Sequence, residues 1–349
     1  MNPNEIEAGL IEEERLRDLR RRDAELSKVK AELASTQAKL KLAEGDLEAA
    51  EKRQQVLDAI ETPNPKTIRG ASQKPGGKAT AIICLSDWHV EETVEAATVN
   101  GLNEFNLTIA SQRIKKTFEK SLRLLESART LSKIEDLVVW LGGDFVSGYI
   151  HPELMENNSL SPTEALIFAQ DHICGGLDFL LKESGVKSIT VPTSWGNHGR
   201  TTEKRRVASA AANSFEWLMY RTLERHYRNV SQVTWKVSES YHNWLEIQGK
   251  QVRFHHGDAL RYAGGVGGIT IPVVKAIAQW DKARQADLDI FGHWHQMLYH
   301  RKFVSNGCLI GFGPFALEIK ADYAQPSQTF VVIDRDRPGA VLAQEIYCT

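Results

Sequence analysis

Thiols are scarce in this chain. Its four cysteines, Cys84, Cys174, Cys308 and Cys348, are scattered through 349 residues without C-x-x-C spacing. That excludes a disulfide framework or a zinc knuckle and suits a reducing compartment. Long hydrophobic runs are missing too. No stretch approaches the roughly 18 apolar residues that a membrane span requires, and the charged N-terminus lacks the apolar core of a signal peptide. Nor does charge of one sign dominate. Lys plus Arg number 43 against 45 Asp plus Glu, a formal net charge of −2, so no global field favours nucleic acid or an anionic membrane, although a local patch can. These absences predict a soluble cytoplasmic protein with no membrane partner.

Proline is absent from residues 4 to 60, where the only glycines are Gly9 and Gly45. This stretch is rich in Glu, Lys, Arg, Ala, Leu and Gln. Leu19, Leu26, Leu33, Leu40 and Leu47 recur at heptad spacing, the d-type seam of a coiled coil. The other seam is poor: Leu16 is followed by Asp23, Lys30, Gln37 and Glu44. Residues 1–60 therefore read as a long helix with one narrow leucine stripe. It is either a solvated helix or a helix for homo-oligomerisation or partner binding. Proline and glycine return in 61–78, which reads as a linker and sets the second domain at 79–349.

In that domain, strand-like apolar runs alternate with helical patterns. Buried strands are predicted at 81–85, 137–141, 188–191 and 288–291. Helices are predicted at 105–131, 161–181 (with Ser161 and Glu164 as a capping box), 203–227 and 271–283. Shorter strands fall at 234–237, 244–247 and 252–255, and the C-terminal third alternates with strand period. The alternation predicts an α/β protein in which a second sheet packs on the first, an α/β/β/α sandwich.

Ligands of open α/β sheets bind beyond the C-terminal strand ends. Here those ends carry S-D-W-H (Asp87, His89), L-G-G-D (Asp144), G-N-H-G-R (Asn197, His198), H-H-G-D (His255, His256) and I-F-G-H-W-H (His293, His295). In extended chain, residues i and i+2 face one side, so each D-x-H or H-x-H pair can reach one cavity. A lone Asp at a strand end is ordinarily a cap and a lone His ordinarily surface; five such ends together exceed that explanation. Carboxylates, imidazoles and one amide without thiolates suit Mn²⁺, Fe or Zn²⁺ at a reactive site. The ligand supply suits two ions about 3.5–4 Å apart with a bridging carboxylate.

The ordered set D-x-H, G-D, G-N-H, H-G and G-H-x-H resembles the calcineurin-like metallophosphoesterases over 79–319. The resemblance implies two divalent cations, Mn²⁺ first with Fe or Zn²⁺ as alternatives. It implies that Asp87, His89 and His295 hold one, that Asn197, His256 and His293 hold the other, and that Asp144 bridges them. His198 would contact the scissile phosphate and aid the leaving group, while His255 would face away. The implied reaction is phosphoester hydrolysis by a hydroxide that the two cations share. Two departures stand out. F-V-S-G follows Asp144, unlike the protein Ser/Thr phosphatases. Gly199-Arg200 follows His198 where many relatives carry an acid, leaving Asp87 as a candidate partner for His198.

For substrate, Arg200, Lys204, Arg205 and Arg206 follow the His198 loop. They are either a phosphate-binding cluster or a solvated first helical turn, although positive charge there opposes the helix dipole. Arg261 opens a glycine-rich loop, 261–268, that can cradle phosphate or act as a lid. The insert 149–161, with His151, can line the cleft. Trp88 and Trp294 are expected to pack behind the site. The first reading is a phosphodiesterase or nuclease acting on nucleic acid. The alternatives are an esterase for a small molecule or phosphoprotein, and a degenerate scaffold working through its coiled coil.

Overall fold

The computed structural model describes residues 3–59, 76–261 and 268–349. Most of the expected linker and all but the ends of the 261–268 loop lie outside the described residues. The chain divides into two units, Met1–Ala71 and Ser72–Thr349. The first contains helix α1, Pro3–Ala59, as the proline-free composition predicts. Among the described residues no helix is long and apolar enough to cross a membrane.

The second unit is built on two mixed sheets. The six-stranded sheet joins β1 (Lys78–Leu85), β2 (Lys133–Leu141), β3 (Ser188–Pro192), β4 (Val233–Lys236), β10 (Ser327–Asp334) and β11 (Leu342–Tyr347), in the order β11-β10-β1-β2-β3-β4. Strands β1 to β4 run parallel. Helices α2 (Leu107–Arg129), α4 (Pro162–Glu183) and α5 (Phe215–His226) make the crossovers between them. The five-stranded sheet joins β5 (Asn243–Ile247), β6 (Lys250–His255), β7 (Leu288–Phe291), β8 (Leu298–His300) and β9 (Phe303–Ser305), in the order β5-β6-β7-β9-β8.

The period of two explains the layering. On β1, Ile83 and Leu85 join Ile114, Phe118, Ile173, Leu177 and Met219 under the helices. Ile82 and Cys84 point the other way and meet Val252, Phe254, Leu288 and Ile290 of the second sheet. A strand buried on both faces must be apolar throughout, which is why β1 reads as an unbroken run. Beyond the second sheet, α6 (Thr270–Trp280) lays Val273 and Ile277 on Phe291 and Phe303. The result is the α/β/β/α sandwich that the sequence predicts. Its caps follow the sequence as well: Ser161 and Glu164 form a full capping box at α4.

One expectation fails. The helix predicted over 203–227 begins only at Phe215, capped by Ser214. Residues 201–214 are turns and a short 3-10 turn, Ala211–Asn213. Apolar periodicity starts at Phe215; in the basic stretch before it Arg200 bonds carbonyls of its own loop and Arg205 pairs with Asp258.

The second sheet also buries an ion pair. Arg253 is fully buried, and its Nε and Nη2 donate to Asp289 Oδ1 at 2.6 Å and Oδ2 at 3.0 Å. Nη2 also reaches Asp281 at 3.0 Å, and Trp244 and Trp280 each lie 5.2 Å from the guanidinium. Removing one member of a desolvated pair strands the other. Asp289→Ala should therefore cost about 3–5 kcal/mol, read as a lowered urea midpoint at unchanged m-value.

Candidate metal centre

Every predicted ligand sits on a loop that leaves a strand's C-terminal end. Asp87 and His89 follow β1, Asp144 follows β2, Asn197 and His198 follow β3, His256 follows β6, and His293 and His295 follow β7. Backbone bonds stitch the loops together. Asp87 N donates to Gly143 O at 2.9 Å, Trp88 N to Asp144 O at 2.8 Å, and Gly292 N to His256 O at 2.7 Å. Gly143 has φ +89°, and a Cβ there would lie 2.3 Å from Gly196 N. Only glycine lets the Asp144 and Asn197 loops meet backbone to backbone. At Gly292 a Cβ would lie 2.4 Å from Asp87 Oδ2, so glycine there opens room for that carboxylate.

The ligand-bearing side chains fall into two groups, Asp87–His89–His295 and Asp144–His256–His293, and within each the ligating atoms lie within 4.8 Å of one another. His89 Nε2 is 3.3 Å from His295 Nε2, which lies 3.5 Å from Asp87 Oδ1. His256 Nε2 is 2.9 Å from Asp144 Oδ2 and 3.1 Å from Asn197 Oδ1. His255 points elsewhere: it is fully buried, stacks on Phe291 at 5.2 Å and sits 3.5 Å from Asp289 Oδ1.

The pairs are not presented from extended chain, as the i, i+2 argument supposes. Asp87, His89, Asp144, His293 and His295 all have positive φ, between 48° and 69°. Left-handed backbone costs a side-chain-bearing residue on the order of 1–3 kcal/mol and persists where surroundings impose it, commonly at working sites.

Electrostatics match a cation site. Burial pushes the Asp87 carboxyl up, but His295 and then His256 outweigh it and hold it low. Asp144 is likewise held well below the usual carboxylate range, chiefly by His256, against its burial. Burial opposes a proton on His256, yet Asp144 raises that imidazole to about 10. Burial and the charge of His256 depress His293 to about 4. Two buried carboxylates thus attract positive charge that protons on some imidazoles supply, and cations bound there would replace those protons.

Supporting contacts fix the ligands. His256 Nδ1 donates to Gly142 O at 2.8 Å, leaving Nε2 toward Asp144 and Asn197. His89 Nδ1 lies 2.8 Å from Ser147 Oγ, which bonds Glu92 in turn. With each Nδ1 held in this way, Nε2 is the ring nitrogen turned toward the other candidate ligands. His198 is oriented by the same residue: its Nδ1 donates to Ser147 O at 3.0 Å, and its backbone N donates to Asp144 Oδ1 at 2.8 Å. The carbonyl of Ser147 thus stands where an acid was expected. Asp87 does not partner His198; its carboxylate accepts from Ser86 Oγ and from His293 N at 3.0 Å.

Sequence reasoning misses Glu216. Fully buried in the first turn of α5, it accepts Phe145 N at 2.7 Å through Oε1 and Gly196 N at 2.7 Å through Oε2. It straps the Asp144 loop to the Asn197 loop. Burial, then the charge of Asp144, raises it to about 7. In sequence it is one acid in a helix's first turn, where a carboxylate ordinarily complements the dipole, so no pattern marks it. Glu91 is missed because a single acid in the turn after His89 carries no pattern. It is buried and accepts Ser147 N at 2.8 Å and Gly148 N at 2.9 Å. Glu216→Ala should leave two buried N–H groups unpaired and weaken metal binding about 10–100-fold, the usual scale for supporting partners. Glu216→Gln should lose less, since it keeps one acceptor. Titration calorimetry with Mn²⁺ reads both, and wild-type affinity in the alanine variant would remove the strap from the account.

The basic residues divide. Arg200 is half-buried and folds back on its own loop, its guanidinium donating to Asn197 O at 2.7 Å, Thr202 O at 3.0 Å and Glu203 O at 3.1 Å. Arg205 pairs with buried Asp258 at 2.5 Å and lies 5.7 Å from the Tyr241 ring. Lys204, Arg206 and Arg261 are exposed. Because 203–206 is not helical, opposition to a helix dipole plays no part there. The insert places α3 (Pro152–Asn157) after the Asp144 loop, with the His151 ring 6.4 Å from that of His198. Trp88 packs behind the site as expected, fully buried, edge-on to Phe145 and bonded to Gln328.

Two mixed sheets pack together and carry the candidate ligands on loops at their C-terminal strand ends, the architecture that the resemblance noted in the sequence implies. No family model matches the chain, and no curated protein matches it. Among solved structures it is similar to Vps29 of Entamoeba histolytica, with TM-score 0.32 and 11% identity over 76% of this chain and 97% of that one. A hypothetical protein of Pyrococcus horikoshii gives TM-score 0.36 and 13% identity over 77% of this chain and 88% of that one. A putative 5'-nucleotidase of Staphylococcus aureus gives TM-score 0.30 and 10% identity over 77% of this chain and 54% of that one. At such values no residue role passes from them to this chain.

Proposed function

We propose that this chain is a metal-dependent phosphoester hydrolase of the calcineurin-like kind, acting as a phosphodiesterase on nucleic acid. The observation that carries the hydrolase reading is the pair of ligand groups, Asp87–His89–His295 and Asp144–His256–His293, gathered from the C-terminal strand ends of both sheets. Their carboxylate and imidazole donors, with the Asn197 amide, fit two divalent cations, Mn²⁺ first and Fe or Zn²⁺ as alternatives. Asp144 would be the carboxylate that both cations share, as the sequence resemblance implies. When bound, such cations make a water acidic enough to attack phosphorus near neutral pH and offset charge on the phosphoryl oxygens.

The chain's own residues do the rest. Ser147 O and Asp144 hold His198 by its Nδ1 and backbone N, leaving Nε2 as the nitrogen that gives a proton to the departing oxygen. Glu92 and Ser147 fix the His89 ring, and Glu216 fixes the loops.

The nucleic-acid reading rests on Lys204, Arg206 and Arg261, three exposed cations on the segments after His198 and His256, which suit a polyanionic backbone. One observation favours the second reading, a small phosphoester or phosphopeptide. Arg200 and Arg205 already have protein partners, Arg200 on carbonyls of its own loop and Arg205 on Asp258, which halves the uncommitted cluster inferred from sequence.

The test is cleavage of labelled single- and double-stranded DNA and RNA with added Mn²⁺, beside hydrolysis of p-nitrophenyl phosphate and its bis ester. Nucleic-acid cleavage that falls steeply with salt and is weakened by Lys204→Glu with Arg206→Glu supports the first reading. Hydrolysis of the small esters alone supports the second. No metal-dependent turnover of any of them would sink both.

A further inference from the structure

Helix α1 displays an apolar stripe on a solvated rod. Leu19, Leu26, Leu33, Leu40 and Leu47 are 52–61% exposed, at the heptad spacing that a facing helix covers. Helices draw most of their stability from such cover rather than from propensity. The charges flanking the stripe decide which helix fits it. In a parallel, in-register pair the second seam would set Asp23 against Asp23, Lys30 against Lys30 and Glu44 against Glu44. The flanks would set Arg15 against Arg20 of the second copy. Each of these is a like-charge contact beside a seam, the arrangement by which coiled coils reject partners.

Reversing one helix removes all of them. In an antiparallel pair each residue of the polar seam faces a leucine of the apolar seam. One register sets Lys30 against Leu40, Gln37 against Leu33, and Asp23 against Leu47 of the second copy. Long polar side chains there can lie along the leucines with their charged ends in water. That register also brings Arg20 beside Glu48 of the second copy, once on each side of the dimer's twofold axis. Within the helix Glu48 is contacted by Lys52 at 2.8 Å, a solvent-exposed pair that an interhelical partner can join or replace.

We propose that α1 is the dimerisation element of this protein, pairing antiparallel with α1 of a second copy through the leucine stripe. This inference rests on α1 alone and stands independently of the reaction.

The test uses the full chain. Sedimentation and light scattering at micromolar concentration should give a dimer, and Leu33→Asp should shift it to monomer. Orientation is read by cysteine pairing. A mixture of Lys30→Cys and Leu40→Cys proteins should form the mixed disulfide on mild oxidation, while Leu40→Cys alone should not cross-link. Arg20→Glu should weaken association severalfold, and adding Glu48→Arg should restore it. A monomer at those concentrations would overturn the proposal. So would a trimer or larger assembly, or efficient cross-linking of Leu40→Cys by itself, which marks a parallel pair.

Discussion

Asp144→Asn should reduce the proposed phosphoester turnover by about 10²–10³-fold, the scale that loss of one key electrostatic group costs at a reactive site. The substitution keeps the side chain's shape and the Oδ1 that accepts His198 N at 2.8 Å. It removes the charge that faces His256 at 2.9 Å. Three consequences follow from that single charge. The His256 imidazole, held near 10 by Asp144, should lose its main stabiliser and fall toward or below its ordinary value. Divalent cations should bind far more weakly, because a neutral amide oxygen replaces a carboxylate between two groups rich in imidazole. Turnover should fall with that binding, and high Mn²⁺ should recover part of it. Calorimetry with Mn²⁺ and steady-state kinetics on bis-p-nitrophenyl phosphate check all three. Turnover within tenfold of wild type at equal Mn²⁺ would mean that Asp144 is not the carboxylate around which the centre is organised.

Much of this centre is legible in the sequence because metal ligation demands particular side chains at particular strand ends. The D-x-H, G-D, N-H and G-H-x-H stretches each end an apolar run, and apolar runs of that length mark buried parallel strands. Strand ends and ligands therefore come as one pattern, and β7 matches its predicted span, Leu288–Phe291. The supporting groups leave no such pattern. Glu216 lies in sequence far from the two loops it joins, and its partners are backbone N–H groups, which every residue has. Ser147 is one serine three residues after Asp144, yet its hydroxyl serves His89 and its carbonyl serves His198. The basic stretch misleads for a related reason. Composition counts Arg200 and Arg205 as surface charge, whereas the fold spends them on carbonyls and on Asp258. The left-handed backbone at five ligands is also unpredictable, because positive φ is uncommon for any side-chain-bearing residue, even for Asp and His, which adopt it more than most.

His198→Ala should lower kcat by about 10²–10⁴-fold, the range that a positioned proton donor contributes, while leaving metal affinity near wild type. The separation follows from geometry. The His198 ring belongs to neither ligand group, although it packs edge-on to His89 with centroids 4.8 Å apart. Its Nδ1 faces the carbonyl of Ser147 at 3.0 Å. A carbonyl only accepts, so Nδ1 carries hydrogen in both charge states and Nε2 is the nitrogen that gains or loses a proton. If Nε2 delivers that proton to the leaving oxygen, the loss should depend on the leaving group. Esters of p-nitrophenol, whose anion departs unaided, should suffer little, while esters of simple alcohols should suffer the full loss. Kinetics across such a series, with Mn²⁺ affinity measured in parallel, separates this role from its rivals. Equal loss for all leaving groups would make His198 a binder of the phosphoryl oxygens rather than a proton donor. Loss of metal affinity would instead make it a structural neighbour of His89.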